Sequence, residues 1–190
     1  MALSDLFTRR PAAPTPPAED PAPTVWPQIG ETWKPEGVTV VQRYYNQAHA
    51  VVLVYTASKR YRYGVACLGC HYTKAPSAAS DWMELSDAAE AANAHAGTCR
   101  ALPRDLPARP DDDTVHKLLH TRVREHQNRV TEQEFRIDAL DRARLTIQRT
   151  NPWIEAALRK LADEHPDLLL VRTSHEDSLR FFVRPYTPAS

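Results

Sequence analysis

Glycine is scarce in this chain, with five residues in 190. Phosphate-cradling loops and nucleophile elbows depend on closely spaced glycines, which let the backbone turn sharply or approach a ligand. Neither arrangement is present, and no Ser or paired carboxylates stand out as catalytic, so an enzyme is not expected. Long apolar runs are also missing. None approaches the roughly 18 residues that a membrane span requires, and the N-terminus lacks the apolar core of a signal peptide. The expected compartment is the cytoplasm. There is no excess of charge of either sign, since 24 Lys and Arg balance 24 Asp and Glu. That balance argues against a protein whose whole surface contacts nucleic acid. Counting by part leaves it unchanged: eight basic and seven acidic residues over 31–105, thirteen and fourteen over 111–190. Cysteine is limited to three, an odd number that fits poorly with a disulfide framework.

Those three cysteines fall into one pattern. Cys67-Leu68-Gly69-Cys70 is a C-x2-C pair at a predicted strand end, where a tight knuckle can aim backbone N–H groups at thiolate sulfurs. His95 and Cys99 follow at H-x3-C spacing, which places both on one face of a helix. Cys67, Cys70, His95 and Cys99 are therefore the candidate ligands of one Zn2+, with His71 as the alternative fourth. A site with four protein ligands is closed and structural, because catalysis needs an open position. Three unrelated buried thiols, or a Cys67–Cys70 redox pair, are the competing readings. The sequence His71-Tyr72-Thr73-Lys74-Ala75-Pro76 reads as loop, where a redox pair would have a helix lowering the thiol pKa. The helix carrying His95 is expected to start at Ser86 as N-cap, with Leu85, Ala89, Ala92, His95, Ala96 and Cys99 along one stripe.

Strands entering a Cys67-x2-Cys70 knuckle, then a connector and a helix ending in His95-x3-Cys99, resemble a C2HC zinc finger over about residues 60–100. Composition rich in Ala, Arg, Pro and Asp is similar to that of small accessory proteins of high-GC bacteria. The resemblance implies a structural zinc and association with nucleic acid. It departs from the common nucleic-acid-reading type in the 24 residues between Cys70 and His95, about twice the usual connector. The additional loop, Lys74 to Met83, is not part of a familiar major-groove reader.

The chain is expected to be α+β, divided into a tail (1–30), a zinc-finger-like β-β-β-α domain (31–105), and a domain of long helix, short helix and hairpin (111–190). The tail is Pro- and Ala-rich, with an apolar group of Leu3, Leu6 and Phe7 suited to docking on a protein partner. Ser4-Asp5-Leu6-Phe7 resembles the end of the motif by which bacterial proteins bind the replication sliding clamp. Val38 to Tyr45, Ala50 to Thr56 and Lys59 to Cys67 read as an antiparallel meander. Arg43, Lys59, Arg60 and Arg62, with tyrosines nearby, are its candidate nucleic-acid contacts, since arginine meets phosphate and tyrosine stacks on bases. Strand alternation instead permits an ordinary sheet with Tyr61, Tyr63 and Val65 inward and Arg60 and Arg62 in water.

Asp111-Asp112-Asp113 is expected to open a helix running without Gly or Pro to about Arg149. Its heptad positions Val123, Val130 and Ile137 suggest a homodimer through 113–148. His116 and His120 at i and i+4 are expected on a solvated face. Asn151-Pro152 begins a second helix, halted by His165-Pro166, and Leu168 to Thr173 with Ser178 to Arg184 forms a hairpin. Helix plus hairpin resembles the second half of a winged-helix domain whose first half is missing. Two roles remain: a nucleic-acid-associated accessory factor, or a protein–protein adaptor with a structural zinc module.

Overall fold

The structure, a computed structural model, describes residues 29–57, 62–76, 82–128, 130–173 and 178–186. The Leu3, Leu6 and Phe7 group, Lys59, Arg60 and Tyr61 lie outside the described residues.

The first half is a meander packed on one helix. Strands β1 (Thr39–Tyr45), β2 (Val51–Thr56), β3 (Tyr63–Cys67) and β4 (Thr73–Lys74) form an antiparallel sheet in that order, and α1 (Leu85–Thr98) lies across it. Three of these strands match the β-branched and aromatic runs. The fourth is a correction: Thr73 and Lys74, read as loop, pair with Ala66 and Val65 because the knuckle reverses the chain beside β3. β2 is buried along nearly its whole length. Val52 and Val54 pack with Val65, Cys67 and the α1 alanines. On the opposite face, the Tyr55 hydroxyl lies 3.4 Å from the Asp141 carbonyl, donating to it. A strand covered on both faces reads as a continuous apolar run.

α1 is buried through Ala88, Ala92 and Ala96; Ala92 and Ala96 lie on the expected stripe, and Ala88 takes the place of the expected Ala89. Its N-cap is Glu84, with no side-chain cap bond, and not Ser86. Small methyl groups let the helix axis sit close to the sheet.

The second half contains α2 (Asp112–Glu125), β5 (Gln133–Phe135), a 3₁₀ segment (Ile137–Ala143), α3 (Arg144–Ile147), α4 (Asn151–Glu164), β6 (Leu169–Thr173) and β7 (Leu179–Val183). The single helix expected from Asp111 to Arg149 is corrected. α2 opens as expected, with the Asp111 carboxylate accepting from Thr114 N–H at 2.6 Å, but it stops at Glu125. Asn128 Oδ1 then accepts from the N–H groups of Val130 and Thr131, each at 2.9 Å, and turns the chain. Gln133–Phe135 pairs with β7, converting the expected hairpin into a three-stranded sheet of order β5-β7-β6. Phe135 becomes a core residue against the helices, 1% exposed, a burial that a solvent-facing helix could not supply. The heptad fails with it. Val123 is buried in its own domain's core, Val130 is 82% exposed, and the continuous helix that a 113–148 dimer needed is not there.

α4 begins as the proline predicted, but the cap is Thr150, whose hydroxyl accepts from Trp153 N–H at 3.4 Å. The two halves meet through charge. The Arg62 guanidinium, 4% exposed, sits 3.4 Å from Asp138 and 3.2 Å from Asp141. Arg142 Nε donates to the Ala75 carbonyl at 3.2 Å. Gly37, at φ 72°, lies so close to the Arg149 carbonyl that a Cβ would overlap it.

Candidate metal centre

Three local structures deliver the four candidate ligands. β3 ends in Cys67, and the chain reverses at once: Leu68 N–H donates to the Val51 carbonyl at 2.8 Å, and Cys67 N–H to the Tyr72 carbonyl at 3.0 Å. This reversal brings Cys70 back beside Cys67. Gly69 is needed for space, not for a left-handed backbone: a Cβ there would lie 2.6 Å from the Ala50 Cβ and 3.0 Å from the carbonyl oxygens of Ala101 and Leu102. The last turn of α1 supplies His95. Cys99 is the helix C-cap in extended conformation, its N–H still bonded to the His95 carbonyl at 2.8 Å. It therefore leaves the helix that was expected to contain it, yet stays on the His95 side.

The ligand atoms of Cys67, Cys70, His95 and Cys99 all lie within 4.8 Å of one another. Cys70 Sγ and His95 Nε2 are 3.4 Å apart. Donors bound tetrahedrally at about 2.0–2.3 Å stand roughly 3.5–3.8 Å from each other, so the four converge at the size of one small ion. His71 is not among them. It is exposed, and its ring faces Arg104 at 3.1 Å, which removes it as the alternative ligand.

Each sulfur receives an N–H. Gly69 N–H reaches Cys67 Sγ at 3.4 Å, Tyr72 N–H reaches Cys70 Sγ at 3.4 Å, and the Asn46 amide reaches Cys99 Sγ at 3.3 Å. Such donors stabilise negative sulfur, which is the form that binds metal. Burial pushes the Cys67 thiol up to about 11, partly offset by N–H bonds from Gly69 and Cys70. Burial also acts to raise Cys99, but bonds from Ala101 N–H and the Asn46 amide outweigh it and the net shift is downward. Desolvation lowers His95, which keeps its imidazole in the neutral, ligating form at pH 7. A high Cys67 pKa is the reverse of what activates a redox pair.

Two supporting residues were missed in the sequence. Asn46 is 4% exposed in the β1–β2 turn and donates to Cys99 Sγ at 3.3 Å and to the Ala101 carbonyl at 2.8 Å. Its Oδ1 accepts from the N–H groups of Ala48 and Ala50, locking the turn. Tyr72 stacks on His95, ring centroids 4.0 Å apart and planes 9° apart, fixing the imidazole orientation. An Asn in a turn 53 residues from Cys99 carries no local sign of that contact.

Of the candidate nucleic-acid contacts, Arg43 and Arg62 are among the described residues. Arg62, just before β3 and bridged to Met83, is buried between two carboxylates of the second half and does not face water. Arg43 is half-buried and donates to the Trp33 carbonyl at 2.9 Å. His116 and His120 face Trp153 and His165 respectively, a packing arrangement instead of the expected solvated face.

Beside the metal ligands runs a groove of about 720 Å³. Tyr72, Lys74, Trp82, Asp87, Glu90 and His95 are among the residues that line it. Trp82 is 67% exposed. No family model, curated protein or solved structure matches the chain. No helix among the described residues is long and apolar enough to cross a membrane.

Proposed function

We propose that this is a non-enzymatic zinc-binding protein, in which one Zn2+ held by Cys67, Cys70, His95 and Cys99 organises a C2HC-type module used for docking. The observation that carries the reading is the supply of N–H donors to all three sulfurs around four converging candidate ligands, backbone N–H for Cys67 and Cys70 and the Asn46 amide for Cys99. Soft thiolate with imidazole suits zinc among divalent ions, and four protein ligands leave no position for substrate. Elemental analysis of reduced protein tests it, with one zinc per chain as the expected result. A wild-type chain without metal would sink the reading.

For the partner, the protein–protein adaptor is the better supported role. An exposed tryptophan beside a groove of mixed polar and apolar lining is the residue type on which protein interfaces concentrate their binding energy. The nucleic-acid reading keeps Lys59 and Arg60, which lie outside the described residues, and keeps Arg43 only as a half-buried group. Arg62 no longer contributes to it. The two roles separate by salt: binding to phosphate falls steeply between 50 and 200 mM salt, on the order of tenfold or more for a few contacts, whereas a Trp82-centred interface holds.

A further inference from the structure

Away from the metal centre, the 3₁₀ segment, α3, the start of α4 and strands β5 and β7 surround a cavity of about 350 Å³, with Ala57 of the first half at its edge. That volume is at the low end of the ~300–1,000 Å³ range of small-molecule sites, so it suits a metabolite and not a peptide. Ile137 and Leu179, both half-buried, give it apolar surface. Most of its charged side chains are already paired: Arg136 meets Asp138 at 3.0 Å, Arg180 meets Glu134 at 3.9 Å, and Asp141 lies 3.2 Å from Arg62. Arg144 and Glu155 make no ion pair among the described residues.

Arg144 is 1% exposed, and its Nε has no hydrogen-bond partner. Its terminal nitrogens donate to the Arg149 and Ala57 carbonyls, each at 3.4 Å. Burial pushes this guanidinium below its ordinary value, against attraction from Asp141, yet an arginine stays charged inside a protein. A desolvated cation served by two long hydrogen bonds is costly until an anion meets it. At the start of α4, the Asn151 Oδ1 atom is buried and also has no partner, and Glu155 stands one turn further along the same helix face. An amide oxygen and a carboxylate so placed accept from one group, a cation with several N–H donors.

We infer that this cavity binds a free α-amino acid with an apolar side chain. Its α-carboxylate meets Arg144, its α-ammonium donates to Asn151 Oδ1 and the Glu155 carboxylate, and its side chain packs on Ile137 and Leu179. An α-amino acid carries an anion and a multi-donor cation on one carbon beside an apolar group, which is the set the cavity receives. The inference does not depend on the zinc or on the groove beside Trp82.

Isothermal titration calorimetry of the full-length protein as purified tests it, with L-leucine, L-phenylalanine, L-leucinamide, N-acetyl-L-leucine and inorganic phosphate as probes. One-to-one binding of leucine or phenylalanine is the expected result. Affinity should fall by at least about tenfold for leucinamide, which has no carboxylate, and for N-acetyl-leucine, which has no ammonium. Arg144 lies in the core, so its part is read through leucinamide and not through a substitution. Glu155 is exposed, so Glu155→Gln should keep the wild-type melting temperature while binding leucine about tenfold more weakly. Absence of binding by both amino acids up to millimolar concentration overturns the inference. So does leucinamide or N-acetyl-leucine binding as tightly as leucine, or a Glu155→Gln protein with wild-type affinity. Phosphate binding without either amino acid overturns it too and makes the cavity a plain anion site.

Discussion

Replacing Cys99 with serine removes one thiolate while preserving size, and its consequence follows from how α1 is held. The helix orders 14 residues, at about 1 kcal/mol each for the backbone alone, or on the order of 14 kcal/mol. Its fully buried side chains are three alanines, and three methyl groups at about 0.8 kcal/mol each return only 2 to 3 kcal/mol. A structural zinc contributes roughly 10–16 kcal/mol, which is the size of the gap. Losing the ion should therefore melt α1 while the second half, with its own core of α2, α4 and three strands, stays folded. α1 is as long as α2 or α4, and α3 adds only four residues, so circular dichroism at 222 nm should fall by about a third. Wild type treated with a strong chelator should match Cys99→Ser, and zinc should restore only the wild type. A chelated, zinc-free protein that keeps its full helical signal would refute the reasoning.

Three further outcomes follow from individual residues. Asn46→Asp keeps the oxygen that accepts from Ala48 and Ala50 but turns a donor to Cys99 into a like charge. Zinc affinity by chelator competition should fall about 10- to 100-fold, and an unchanged value would show that the amide does not support the thiolate. Gly69→Ala forces a Cβ onto Ala50 and two backbone carbonyls, so thermal unfolding should report a loss of about 1–3 kcal/mol; a neutral substitution would mean the knuckle has more room than its geometry indicates. Burial raises Asp141 to about 6, against attraction from Arg62 and Arg144 and with some help from Asp138. The folded state therefore holds this proton more tightly than the unfolded chain, whose Asp titrates near 4, and stability falls as pH rises from about 4 to 6. Relative to Asp141→Asn, urea unfolding should show wild type losing about 2 to 3 kcal/mol across that window and nothing further above pH 7. A flat difference would place the Asp141 carboxylate in water.

Much of the metal centre was legible in the sequence because its signals are local. C-x2-C closes a knuckle in four residues, and H-x3-C places two ligands one helical turn apart. On α1 Ala92 and Ala96 are buried as expected, and Ala88 replaces Ala89 because several alanines on neighbouring faces give a weak periodic signal. The Asp111–Arg149 helix failed for a different reason. Absence of Gly and Pro permits a helix but does not require one, and only contact with β7 makes Gln133–Phe135 a strand.

The sequence by itself determined the two local pairs Cys67–Cys70 and His95–Cys99, the three main strands of the first sheet, and the starts of α2 and α4, each of which depends on residues within a turn or two of one another. Tertiary structure alone decided that Asn46 supports Cys99 from 53 positions away, that Arg62 faces Asp138 and Asp141 and not phosphate, and that Phe135 leaves a helical pattern to complete a sheet. Each of these is set by which distant surface arrives opposite the residue. A one-dimensional pattern does not encode that, since an alternating strand names two faces without saying which one another part of the chain will cover.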